Sequence, residues 1–103
     1  MNSKFLSMLG IARKSGNALL GFDKTKDGLQ SGKAKIVCVC SDISEKTLKE
    51  LRYFAERENV QIIESCHDMF EFSNAVGTKT GVVAITDNGI AKRLVELADT
   101  TGM

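Results

Sequence analysis

The sequence predicts an α/β fold, a three-layer α/β/α sandwich around a small mixed sheet of about four strands. Three observations predict it. Apolar residues recur at helical spacing in several separate segments. Two short runs, Lys35–Cys40 and Val82–Ile85, are rich in β-branched residues without polar alternation, the mark of strands covered on both faces. Helical and extended segments alternate along the chain, the order expected of a layered α/β domain.

Each element follows from local chemistry. Ser3 is placed to cap a helix that buries Phe5, Leu6, Met8, Leu9 and Ala12 and stops at Ser15-Gly16. Arg13 and Lys14 suit the negative end of its dipole. Ala18-Leu19-Leu20 makes a brief strand, and Gly21 opens a helix that closes at Ser31-Gly32. Gly28 inside that helix costs ~1 kcal/mol relative to alanine, which is tolerable where the helix must approach the sheet closely. The strand Lys35–Cys40 follows, then a turn, then a helix capped by Ser44 that runs to about Glu58 with Leu48, Leu51, Phe54 and Ala55 inward. Val60–Ile63 is the next strand. A helix begins at His67 or Asp68 and ends at Gly77, and Val82–Ile85 is the second fully buried strand. Asp87-Asn88-Gly89 reads as a turn into a last helix with Ile90, Leu94, Leu97 and Ala98 along its apolar stripe. Lys35–Cys40 and Val82–Ile85 should be the central strands.

At 103 residues, 43% hydrophobic and 26% charged, the chain reads as one folded domain over residues 1–103. It has no apolar run of the ~18–20 residues needed to span a bilayer and no signal peptide, so no membrane partner and a cytoplasmic location are expected. Three cysteines are an odd count, against a disulfide framework. Cys38, Cys40 and Cys66 read as small buried hydrophobes rather than metal ligands, since the Cys-x-Cys pair lies within an apolar run. His67 reads as a surface residue at a helix start. Its chain neighbour Cys66 points elsewhere, which leaves no nucleophile pair. No phosphate-binding glycine motif is present either. An enzyme is therefore not expected, nor any cofactor or metal.

Charge is distributed unevenly. Residues 13–35 hold six Lys/Arg against two Asp, net +4, whereas residues 36–76 hold four Lys/Arg against eight Asp/Glu, net −4. The formal total of +1 hides this division. The basic half contains the helix opened by Gly21, whose first N–H groups and dipole favour an anion or a base edge. Lys24 and Lys26 flank that start, Lys33 and Lys35 add charge at the far end, and Lys79 in the loop Gly77–Gly81 can approach from the other side.

Several pieces, in this order and spacing, resemble the L7Ae/L30e ribosomal protein superfamily and its bacterial kink-turn-binding paralogues. They are Leu9-Gly10-Ile11-Ala12-Arg13-Lys14, Ser31-Gly32-Lys33-Ala34-Lys35-Ile36-Val37, Ser41-Asp42-Ile43-Ser44-Glu45-Lys46-Thr47, Ala75-Val76-Gly77 and the stretch from Val83 to Lys92. The resemblance implies a sandwich that sets the start of its second helix into the widened groove of a kinked RNA, where sheared G·A pairs expose guanine edges. The reading residues then fall two, three and six positions after Gly21, at Asp23, Lys24 and Asp27. The loop from Gly77 to Gly81, with Thr78 and Lys79 and followed by Val82, is implied to pack on a flipped-out nucleotide. Asp27 stands where the family usually has lysine, Lys24 replaces an acceptor with a donor, and the loop lacks the family's apolar residues. Asp23 still accepts from guanine N1–H and N2–H. Lys26 would point about 100° away from the family's lysine position.

The expected function is thus non-catalytic recognition of structured RNA, a kink-turn in rRNA or an mRNA leader, by a monomer. Arg13, Lys14, Lys24, Lys26, Lys33, Lys35 and Lys79 would meet phosphate, with Gly21, Phe22 and Asp23 at the groove. The alternative is a protein-interaction module on the same scaffold, with ribosomal proteins as partners of the acidic half.

Overall fold

The computed structural model describes residues 3–101, with side chains described for residues 3–98. The elements are α1 (Lys4–Lys14), β1 (Ala18–Leu20), α2 (Phe22–Gln30), β2 (Ile36–Val39), α3 (Glu45–Arg57), β3 (Gln61–Glu64), α4 (Met69–Val76), β4 (Val82–Ile85) and α5 (Asn88–Thr101). The sheet runs β1-β4-β2-β3, so the two continuously buried strands are central, as their composition requires. β1 and β2 are antiparallel to β4, and β3 is parallel to β2.

Alternation along the central strands divides the core. Ile36, Cys38, Cys40, Val83 and Ile85 face one way and pack with Phe5, Leu9, Phe72 and Leu94, under α1, α4 and α5. Val37, Val39, Val82 and Ala84 face the other way and pack with Leu29, Leu51 and Ala55, under α2 and α3. Together these are the three layers.

Four expectations are corrected. Asn88 and Gly89 are helical, because the Asp87 carboxylate accepts from Ile90 N–H at 2.8 Å and so starts α5 two residues earlier than a turn would. β3 is displaced by one residue to Gln61–Glu64, in register with Ile36–Val39. Cys66 is exposed, unlike Cys38 and Cys40. His67 is no free surface residue either. Its ring bonds Ser3 Oγ (3.0 Å) and Glu71 Oε2 (3.0 Å) and stacks on Phe5, tying the starts of α1 and α4 together.

That tie sets the two helices parallel and close. Ser3 meets His67, Phe5 meets Phe72, and Gly10 lies so near α4 that a Cβ there would sit 2.9 Å from the Ala75 carbonyl oxygen. At Gly28 a Cβ would collide with Leu19 Cδ1, a side chain of the sheet, which bears out the close approach read from its type. The two glycines should differ on substitution. Gly10→Ala meets backbone that cannot turn aside and should destabilise the chain by about 1–2 kcal/mol despite the better helix propensity. Gly28→Ala displaces only a methyl group, so its cost should be smaller. Thermal melts of both variants check the order.

Acidic groups at the start of α4 add a pH dependence. The His67 ring and Asp68 N–H bond Glu71 and hold its carboxyl below the usual value, while the Cys40 thiol and Met69 N–H do the same for Asp42. Both groups titrate lower folded than unfolded, so their contribution is complete above their ordinary values of 4.5 and 3.8 and disappears as pH falls through the lowered ones. Glu71→Gln should therefore be less stable than the parent in urea at pH 7, with the gap closing by about pH 2.

Candidate nucleic-acid interface

The pairing of β1 with β4 determines what meets at the candidate site. Leu20 lies opposite Val83, and one residue beyond it Gly21 N–H donates to the Val82 carbonyl at 2.9 Å. The start of α2 is thereby fixed beside the end of the loop Gly77–Gly81. Gly21 has φ 94° and ψ 167°, a conformation open in practice to glycine alone. No atom lies within 4 Å of a Cβ placed there, so the backbone angle and not crowding requires the glycine.

α2 starts without a side-chain cap. α1, α3 and α4 are capped by Ser3, Ser44 and Asp68. Thr25 N–H bonds the Gly21 carbonyl, and the N–H groups of Phe22, Asp23 and Lys24 have no partner among the described residues. These donors and the positive end of the helix dipole face outward. Asp23 in the first turn partly occupies the field that an anion would otherwise fill.

Thr25, Gly28 and Leu29 form the buried face of α2, so Asp23, Lys24 and Asp27 are turned to solvent, as the resemblance implies for reading residues. Phe22 is half-buried against the α2–α3 core and presents mainly its backbone. Lys26 lies over the Phe54 ring, 5.1 Å from its centroid, and so points toward α3. Thr25 Oγ1 is buried and without a hydrogen-bond partner in the described residues.

The loop opposite is anchored at its base. Thr80 N–H donates to Ser73 Oγ (3.0 Å), and Thr80 Oγ1 donates to the Val82 carbonyl (3.0 Å) and accepts from Val82 N–H (3.2 Å). Gly81 carries no side chain because Cys40 Sγ and Met69 Cε fill the space a Cβ would take. Thr78 and Lys79 remain as the exposed tip, whereas Val82 is buried and contributes its carbonyl rather than its side chain.

The remaining basic residues are placed elsewhere. Arg13 and Lys14, at the end of α1, line a groove with Gly10, Asn74 and Gly77, which reaches the beginning of the loop. Lys33 and Lys35 follow the C-terminal end of α2, where Lys35 N–H bonds the Ile85 carbonyl, one strand length from Gly21. The structure thus ties Gly21, at the start of α2 with Asp23 and Lys24, to the end of the loop that carries Thr78 and Lys79, and leaves Lys33 and Lys35 at the other end of α2. Ser73, Asn74 and Thr80 belong to the surroundings of the site but carried no signal in the sequence, because their roles depend on the loop folding back along α4.

Burial pushes the Cys38 thiol up to about 12, and burial together with its hydrogen bond to the Asp42 carboxylate pushes Cys40 to about 11. Neither thiol is a thiolate at neutral pH. Among the described residues no helix is long and apolar enough to cross a membrane.

Fold and surface together define a three-layer α/β/α protein with an uncapped, glycine-opened helix start beside a polar loop. The chain belongs to the ribosomal protein L7Ae/L30e/S12e/Gadd45 family, whose model matches residues 3–95. It is 31% identical over 99 residues to RNA-binding protein YlxQ of Enterococcus faecium, covering 93% of this chain and 92% of that protein. It is 30% identical over 92 residues to the large ribosomal subunit protein eL30 of Eremothecium gossypii, covering 87% and 88% of the two chains. A solved structure of a protein of unknown function from Bacillus halodurans C has the same fold, with TM-score 0.89, 24% identity and coverage of 95% and 99%. The Giardia lamblia 15.5kD RNA binding protein shares the fold at TM-score 0.78 and 15% identity, over 97% of this chain and 89% of its own.

The helix start rests on Gly21, so Gly21→Ala should cost about 1–3 kcal/mol, although the added methyl group meets no atom. Chemical denaturation measures this, and amide exchange at position 21 and at Thr25, whose N–H groups are bonded to the Val82 and Gly21 carbonyls in the parent, should rise more than exchange in β2.

Proposed function

We propose that the chain is a non-catalytic cytoplasmic RNA-binding protein that recognises a kink-turn or similar internal-loop RNA, in ribosomal RNA or an mRNA leader, and acts as a monomer. The observation that supports this reading is the junction at Gly21 and Val82, which ties the uncapped start of α2 to the end of the loop whose exposed tip is Thr78–Lys79. Family membership supports it, as do the YlxQ and eL30 relatives, whose names state RNA binding and a place in the large ribosomal subunit.

In this reading the site works by complementary polarity. The Asp23 carboxylate accepts from guanine N1–H and N2–H at an exposed sheared pair, and the free N–H groups of Phe22–Lys24 take an oxygen of a base or phosphate. Lys24 and Lys79 neutralise phosphate from the two sides, and the Thr78 hydroxyl can pair with a ribose 2′-OH, which duplex DNA lacks. Asp27, one turn beyond Asp23 on the same face, repels phosphate and restricts how deeply α2 enters the groove. No step requires a metal or cofactor.

Binding to a kink-turn RNA should exceed binding to the same sequence with its G·A pairs replaced, and should weaken steeply with salt. Lys24→Ala should lower affinity by about 1 kcal/mol and reduce the salt slope by about 1, while Asp27→Lys should raise affinity. Fluorescence anisotropy at several salt concentrations measures all three. Equal binding to the two RNAs would contradict the reading. A pull-down that survives nuclease, with no shift of structured RNA, would favour a protein partner on this scaffold.

A further inference from the structure

We propose that the groove between α1 and α4, at Arg13, Lys14 and Asn74, is a second RNA contact that takes the sugar–phosphate backbone of a helical arm leaving the α2 site. The inference rests on the RNA-binding reading above. It concerns a surface on the other face of the sheet from α2, among the helices α1, α4 and α5.

Three observations lead to it. The first is continuity. The parallel packing of α1 on α4 leaves a groove along their seam, and its end is lined by Gly10, Arg13, Lys14, Asn74 and Gly77. Gly77 begins the loop whose far end, at Val82, holds Gly21. A strand of RNA that passes the loop tip therefore comes next to this groove.

The second is charge. Arg13 and Lys14 are exposed and make no ion pair among the described residues. Glu71, the carboxylate further along the seam, is bonded to His67 and Asp68 N–H. The groove end thus carries two cations, and Glu71, the carboxylate among the residues lining the seam, is bonded within the protein. The third is the character of the lining. Asn74 is exposed on α4 opposite the two basic residues, and its amide both donates and accepts, which suits phosphate oxygen and ribose hydroxyl alike. Gly10, and Ala75 beside Asn74, keep the floor low, so a backbone can lie close to it.

A contact of this kind positions an arm and reads no bases. It adds affinity in proportion to the arm it touches, while discrimination between kinked and plain RNA stays with Asp23 and Lys24. The test uses the full chain and a standard kink-turn RNA with long arms, together with two versions in which one arm or the other is cut back to a few pairs. The double variant Arg13→Ala/Lys14→Ala should bind the long-armed RNA about tenfold more weakly, with a salt slope smaller by about 1.5. One of the two shortened RNAs should bind parent and variant equally. The charge-conserving pair Arg13→Lys/Lys14→Arg should retain most of the affinity, and unchanged melting temperatures would exclude a folding effect. If the parent prefers the kinked RNA but the double variant loses nothing, or loses the same amount whichever arm is present, the groove contact is wrong and the reading of α2 stands. If the parent shows no preference for the kinked RNA, both fall together.

Discussion

The arrangement of this protein depends on one backbone constraint, the antiparallel pairing of β1 with β4 and its extension by the bond from Gly21 N–H to the Val82 carbonyl. β1 is a three-residue edge strand, weak alone, yet it decides where α2 begins. Because it pairs with β4 and not with β2, its end lies at the beginning of β4, where the loop from α4 arrives. Residues about sixty positions apart in the chain thus share one surface. Gly21 allows the turn that this requires, because its angles place the chain where a side chain would strain it.

The surface gains its character from what is left unsatisfied. Four side chains, Ser3, Ser44, Asp68 and Asp87, accept from the first turns of the other helices. The first turn of α2 has no such acceptor and so keeps donors available to a ligand. Asp23 moderates that donor field, and Lys24 and Lys79 restore positive charge around it. The loop matches this design. It is fixed at Thr80 and Gly81 against α4 and leaves Thr78 and Lys79 at its tip, polar residues in place of an apolar wedge. The result is a site suited to polar and phosphate contacts more than to apolar stacking.

Much of the fold was legible in the sequence, for identifiable reasons. Two β-branched runs without alternation can only be central strands, and Ser3, Ser44 and Asp68 are strong cap residues placed before apolar periodicity. The start of the last helix was harder, because Asp87-Asn88-Gly89 has the composition of a turn while Asp87 serves as a cap. His67 and Cys66 were misjudged because burial there is set by tertiary packing. Ser3 and Phe5 reach His67 from across the chain, and nothing local shows it. In the candidate site the glycine-opened helix was evident from the place of Gly21, and its residues Asp23, Lys24 and Asp27 were singled out by the family resemblance. The direction of Lys26, held over Phe54, follows from the docking of α2 on α3. The grouping of Arg13 and Lys14 with Asn74 follows from the parallel packing of α1 on α4.

The start of α2 and the loop tip are proposed to form one RNA surface. Backbone amide chemical shifts of the whole chain, followed during titration with a standard kink-turn RNA, test it most directly. The largest changes should fall together on Gly21–Lys24 and Thr78–Lys79, saturate at one RNA per protein, and leave the outer face of α3 unmoved. Changes centred on α3 or β3, with Phe22–Lys24 unaffected, would contradict it.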